Sequence, residues 1–152
     1  MSVKVEGHRE FKQMNDFTFS YPVFEGWEKE TVEFRKGDFY KLKNRYSGVC
    51  NIKFPSSRKN SKKYLLLTAT KIPLSFSDCY PSGDAKAWLN AGLRDAERKE
   101  NKNGVMYERN LMDSSSVTFY GKAFSVRITF SEKNPSVSDA FWKEIIKSFK
   151  FI

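Results

Sequence analysis

Eight basic residues crowd the stretch from 41 to 63: Lys41, Lys43 and Arg45, then Lys53, then Arg58, Lys59, Lys62 and Lys63. Side chains of this type attract anions, either the phosphates of a nucleic acid or the acidic face of a protein. If Lys41, Lys43 and Arg45 alternate along a strand, they project from one face. Tyr40, Tyr46 and Tyr64 interleave with them. Alternation puts most of these rings on the opposite face, which argues against base stacking on single-stranded nucleic acid. The competing reading of the cluster is general surface charge that serves solubility.

Groups for covalent or acid–base chemistry are sparse. His8 is the only histidine, so a histidine-dependent triad or a two-histidine metal site cannot form within one chain. It lies in a polar N-terminal stretch and reads as a surface residue. Cys50 shares an expected inward face with Ile52 and Phe54 and reads as a small core hydrophobe, while Cys79 falls in the loop Ser77-Asp78-Cys79-Tyr80-Pro81. The two cysteines allow either one Cys50–Cys79 disulfide or two free thiols, and neither has the neighbours of a redox or nucleophilic cysteine. Glu28, Glu30 and Glu33, and likewise Asp95, Glu97 and Glu100, read as solvated strand and helix faces. There is no glycine-rich phosphate loop and no zinc spacing. The expectation is therefore a protein that is not an enzyme and uses no cofactor or metal.

The 152 residues are the usual size of one domain, and they are read as one spanning 1–152, with 1–15 as a flexible N-terminal segment. Aromatic residues make up 16%, 14 of them Phe, which leans toward strands and a large core. The net charge of +9 favours acidic partners. It is uneven, with 15 Lys/Arg against 8 Asp/Glu in residues 1–76 and 12 against 10 in the rest. No run approaches the apolar length of a membrane-spanning helix, and Met1–Met14 lacks the apolar centre of a signal peptide.

The elements that must position these residues can be read from periodicity. Phe17-Thr18-Phe19-Ser20-Tyr21 alternates as a half-buried strand, ended by Pro22. Trp27–Phe34 is a second strand. Phe39–Tyr46 and Val49–Phe54 form a hairpin turning at Ser47-Gly48. Pro55–Lys63 is a basic loop, and Tyr64–Ile72, apolar on both faces, belongs in the middle of a sheet. The spacing of Ala85, Trp88, Leu89, Gly92, Leu93 and Ala96 predicts a helix over Asp84–Asn101 with Asp84 as N-cap. Val105–Leu111, Ser116–Tyr120 and Ala123–Phe130 are strands. A second helix runs to about Lys147, capped by Ser136 or Ser138, with Phe141, Trp142, Ile145 and Ile146 inward. Ser148–Phe151 closes the chain as a short strand. Strands and helices do not alternate one for one, which favours a mostly antiparallel sheet with helices on its faces.

A strand ending in Tyr21-Pro22, then Gly26-Trp27, and a last helix running from Phe141 into Ser148-Phe149-Lys150-Phe151 resemble the PsbP-like domains, a superfamily that includes Mog-like proteins and bacterial lipoproteins. The resemblance covers about Phe17 to Ile152. It implies an α+β fold, a three-layer α/β/α sandwich around a central, mostly antiparallel sheet. It also implies a docking or accessory role and slightly favours an extracytoplasmic place, secreted or lipid-anchored with the signal removed, over a cytoplasmic one. The expected function is a non-catalytic binding domain that docks on a protein with an acidic surface through the basic patch. The alternative is a nucleic-acid-binding module using the basic hairpin and loop.

Overall fold

The computed structural model describes residues 4–26, 31–42, 45–55, 64–82, 84–91, 96–110, 116–132 and 134–152; over 31–42, 45–51, 53–55 and 64–65 it describes the backbone path. In chain order the first elements are β1 (Val5–Phe11), β2 (Phe17–Phe24), β3 (Thr31–Leu42), β4 (Arg45–Pro55), β5 (Tyr64–Ile72), α1 (Phe76–Cys79) and α2 (Ala85–Asn90). They are followed by β6 (Ala96–Glu100), β7 (Met106–Asn110), β8 (Ser116–Tyr120), β9 (Ser125–Phe130), α3 (Pro135–Ser148) and β10 (Lys150–Phe151). The strands form a three-stranded sheet, β1-β2-β10, and a seven-stranded sheet, β3-β4-β5-β9-β8-β7-β6. Every pairing is antiparallel. β5 lies inside the larger sheet, between β4 and β9, as its apolar faces led us to expect.

This architecture overturns the three-layer α/β/α sandwich. Strand accounts for 46% of the chain, and the described helices are three, of which only α3 exceeds two turns. The helix expected over Asp84–Asn101 stops at Asn90, and Ala96–Glu100 becomes an edge strand paired with β7. The reason is packing. A helix in a protein is stabilised chiefly by burying an apolar face, and Ala-Glu-Arg-Lys-Glu offers none beyond Ala96. Pairing with Met106–Asn110 supplies backbone bonds instead and turns Arg98 onto the ring of Trp88, with its guanidinium carbon 4.8 Å from the ring centre. Asp84 does cap α2, accepting from the Ala87 amide at 3.0 Å.

The core is shared by both sheets and α3. Phe149, just past α3, stacks on Phe119 of the large sheet at 3.9 Å between centroids and on Phe17 of the small sheet at 5.6 Å. Phe141 does the same from within the helix, 4.0 Å from Phe130 and 6.2 Å from Tyr21. These rings key the two sheets to one helix, an arrangement in which each aromatic buries a large area against two partners. Trp88, Phe141 and Ile145 are buried, as the helical spacing indicated. The cap of α3 is Asn134, accepting from the Ser136 amide, with Pro135 at the first helical position; Ser136 and Ser138 do not play that part.

Two readings of the N-terminal region change. Val5–Phe11 is a strand rather than a flexible segment, and β2 continues through Pro22 to Phe24. On the α3 side of β2 the Ser20 amide donates to Ser148 Oγ at 2.7 Å, and Thr18 pairs with Lys150. By alternation Pro22 turns toward that same side, where β10 has already ended, so its missing N–H breaks no ladder bond.

Candidate functional site

The expected basic patch does not survive as one stripe. Lys43, Arg58, Lys59, Lys62 and Lys63 lie outside the described residues. The hairpin turns between Leu42 and Arg45, which pair with each other; Ser47 and Gly48, expected at the turn, pair with Gly37 and Lys36 inside the ladder. Lys41 and Arg45 thus stand on different strands at one end of the hairpin. Lys53 is opposite Thr31 at the other end, eight residues along β4 from Arg45, or roughly 26 Å at the rise of an extended strand. Cys50 holds a register position between Phe34 and Ala69. Cys79 is a free, exposed thiol in α1, so it makes no bridge with Cys50. Burial, and then the neighbouring Asp78 carboxylate, push the Cys79 thiol above its ordinary pKa, with Arg127 opposing. His8 lies on β1 with its side chain 53% exposed, 3.7 Å from Glu144.

The structure instead brings together side chains that are distant in the sequence. A cleft of about 500 Å³ separates α3 from the β6–β7 hairpin. On the sheet side, Glu97 and Arg109 are directly opposed in register, next to Tyr107. On the helix side, Asp139, Lys143 and Lys147 follow one another at intervals of four, which places them on one face of α3. Lys102, in the β6–β7 turn, also lines it. Among the described residues Lys102, Lys143 and Lys147 have no ion-pair partner.

Arg109 is the unusual member. Its side chain is 19% exposed, and among the described residues its ion pair is with Asp139, at 3.5 Å. The Nε atom is buried and has no hydrogen-bond partner. An unsatisfied buried donor costs about 1–3 kcal/mol, and among the described residues none supplies an acceptor to this Nε.

Asn101 fixes the two walls. Its Nδ2 donates to the carbonyls of Ile146 at 2.9 Å and Phe149 at 2.8 Å, and its Oδ1 accepts from the amides of Asn103 and Val105. One carboxamide therefore closes the β6–β7 turn and caps the C-terminus of α3.

A second cluster lies against β6 to β8, beneath α1 and α2. Arg98 Nε donates to Glu108 at 3.2 Å, Tyr120 donates to Glu108 at 2.9 Å, and the hydroxyls of Tyr80 and Tyr120 are 3.2 Å apart. Burial first, then the Tyr80 hydrogen bond and the Glu108 charge, hold the Tyr120 phenol well above its usual range. The rings of Phe76, Tyr80, Trp88 and Tyr120 meet edge-on or tilted around it. With its charges mutually bonded, this cluster fastens the two short helices to the sheet.

Sequence reading passed over Arg109, Lys102, Lys143 and Lys147 because no short motif joins them. The one local signal is the four-residue repeat of Asp139, Lys143 and Lys147. Among the described residues no group of three or more His, Cys, Asp or Glu side chains is arranged to hold a metal ion, and no helix is long and apolar enough to cross a membrane. No family model matches the chain, and no curated protein or solved structure matches it either.

Proposed function

We propose that the protein is a non-catalytic binding module that docks on an acidic protein partner, and that the cleft between α3 and the β6–β7 hairpin receives it. The observation that carries this reading is Arg109, a half-buried guanidinium whose Nε is buried without a hydrogen-bond partner among the described residues, set in a cleft lined also by Lys102, Lys143 and Lys147, which have no ion-pair partner among those residues. A carboxylate is the acceptor that a guanidinium fork fits best. The net charge of +9, including Lys41 and Arg45 at the end of the β3–β4 hairpin, draws an acidic partner in. The resemblance of Phe17–Pro22, Gly26-Trp27 and the last helix to the PsbP-like domains, whose sandwich this fold does not have, implies a docking or accessory role as well. The nucleic-acid reading is weaker here. Single-strand binders stack bases on exposed rings, and the aromatic side chain of this cleft, Tyr107, is 7% exposed.

The test is fluorescence anisotropy with labelled poly-glutamate and with a single-stranded oligonucleotide of equal charge, across a salt series. Lys143→Glu with Lys147→Glu should weaken poly-glutamate binding about tenfold or more, on the scale of two reversed rim charges. Wild-type binding should weaken as salt rises. Unchanged poly-glutamate binding by the charge-reversed protein would exclude the cleft, and tighter binding of the oligonucleotide would favour the nucleic-acid module.

A further inference from the structure

Beside the cleft lies an open sheet edge. β6 ends the seven-stranded order, and among the described residues it has no backbone partner other than β7 and its turn. The Asn101 amide donates to the Val105 carbonyl at 2.9 Å, which fixes the alternation along the hairpin: odd-numbered amides of β6 face β7. The amides and carbonyls of Ala96, Arg98 and Glu100 therefore face outward. A row of such groups is a template for another strand. The exposed charges of Lys99 and Glu100 discourage a second copy of this chain from using it.

The lysines of α3 set a second condition. Lys143 and Lys147 are one helical turn apart, about 6 Å along the axis. Same-face side chains of an extended strand repeat every two residues, at roughly 6.6–6.8 Å. A strand added to β6 would carry every second side chain over the cleft face, beside Glu97 and Lys99, at a spacing close to that of these lysines.

Building on the docking function proposed above, we infer that the partner segment is an extended acidic peptide that adds to the β6 edge as a further strand, with carboxylates at alternate positions. One carboxylate takes the Arg109 guanidinium, displacing its long contact to Asp139. The next meets Lys143 and Lys147. Backbone bonds to Arg98 and Glu100 supply affinity, and the alternate spacing of the acids supplies selectivity.

The experiment compares two labelled synthetic peptides of identical composition, one alternating Asp with Val and one with the Asp residues contiguous, followed by amide hydrogen exchange of the complex by NMR. The alternating peptide should bind about tenfold more tightly, as expected when side-chain spacing selects among added strands. Its binding should slow exchange at the Arg98 and Glu100 amides and should be lost in Lys143→Glu/Lys147→Glu. Equal binding of both peptides, with exchange at Arg98 and Glu100 unchanged, overturns strand addition while leaving anionic docking intact. Failure of both peptides and of poly-glutamate to bind overturns the two readings together.

Discussion

Asn101 Nδ2 lies 2.8 Å from the carbonyl oxygen of Phe149, and through that bond the turn of an edge hairpin holds the end of the only long helix described. Replacing Asn101 with Ala removes the donors to the carbonyls of Ile146 in α3 and of Phe149 at its C-cap, and the acceptor for two turn amides. The expected loss is about 1–3 kcal/mol, since the part-buried Ile146 carbonyl and Val105 amide lose this partner while Asn103 Nδ2 still donates to the Phe149 carbonyl. Denaturant unfolding measures it. An unchanged midpoint would mean that water replaces the carboxamide without cost.

Gly121 has no room for a side chain. A Cβ there would stand 2.5 Å from the Phe124 carbonyl oxygen and 2.9 Å from the Phe151 ring. Gly121→Ala should therefore cost about 1–3 kcal/mol, in the range of overpacked sites. Because the closer obstacle is backbone, Gly121→Ala should remain destabilising when added to Phe151→Ala. Full rescue by the Phe151 variant would place the whole strain in the ring.

Ile145 is fully buried in α3 among rings from both sheets. Ile145→Ala should cost about 2–5 kcal/mol by chemical denaturation. Lys143→Ala, two residues earlier on the exposed face, should stay within about 0.5 kcal/mol of the wild type. Similar losses at both positions would contradict the orientation of the helix.

Tyr120 links stability to alkaline pH. Its pKa is raised in the folded state, chiefly by burial. The unfolded chain therefore loses this proton first as pH rises. Stability from this group is complete below about pH 10, the ordinary phenol value, and is lost progressively above it. Tyr120→Phe should be less stable near neutrality, where the bond to Glu108 is missed, and should lose less of its stability above pH 10. A steeper alkaline loss in the variant would reverse the assignment.

Cys79 is exposed, yet its thiol is held up by burial of the sulfur and by Asp78. Alkylation by iodoacetamide should accelerate with a pH midpoint above about 8.5, that of an unperturbed cysteine. A midpoint at or below that value would mean that Arg127 outweighs both.

The sequence by itself determined those elements whose burial pattern is local. The alternation of Phe17, Phe19 and Tyr21, the apolar run from Tyr64 to Ile72, the pairs Val117/Phe119 and Val126/Ile128, and the inward face of α3 all report a single element meeting a core. Only the tertiary structure decided what depends on a partner far along the chain. Ala96–Glu100 became a strand because β7 was there to pair with it, although its residue types favour a helix. Pro22 stayed inside β2 because the side it faces carries no ladder there. The hairpin register moved Lys53 away from Arg45, and a one-residue difference in register changes every pairing. The cleft lay beyond sequence reading altogether: Arg109 and Lys143 come from elements with no common period, and the chain brings them together only when Phe141 and Phe149 draw α3 down between the two sheets.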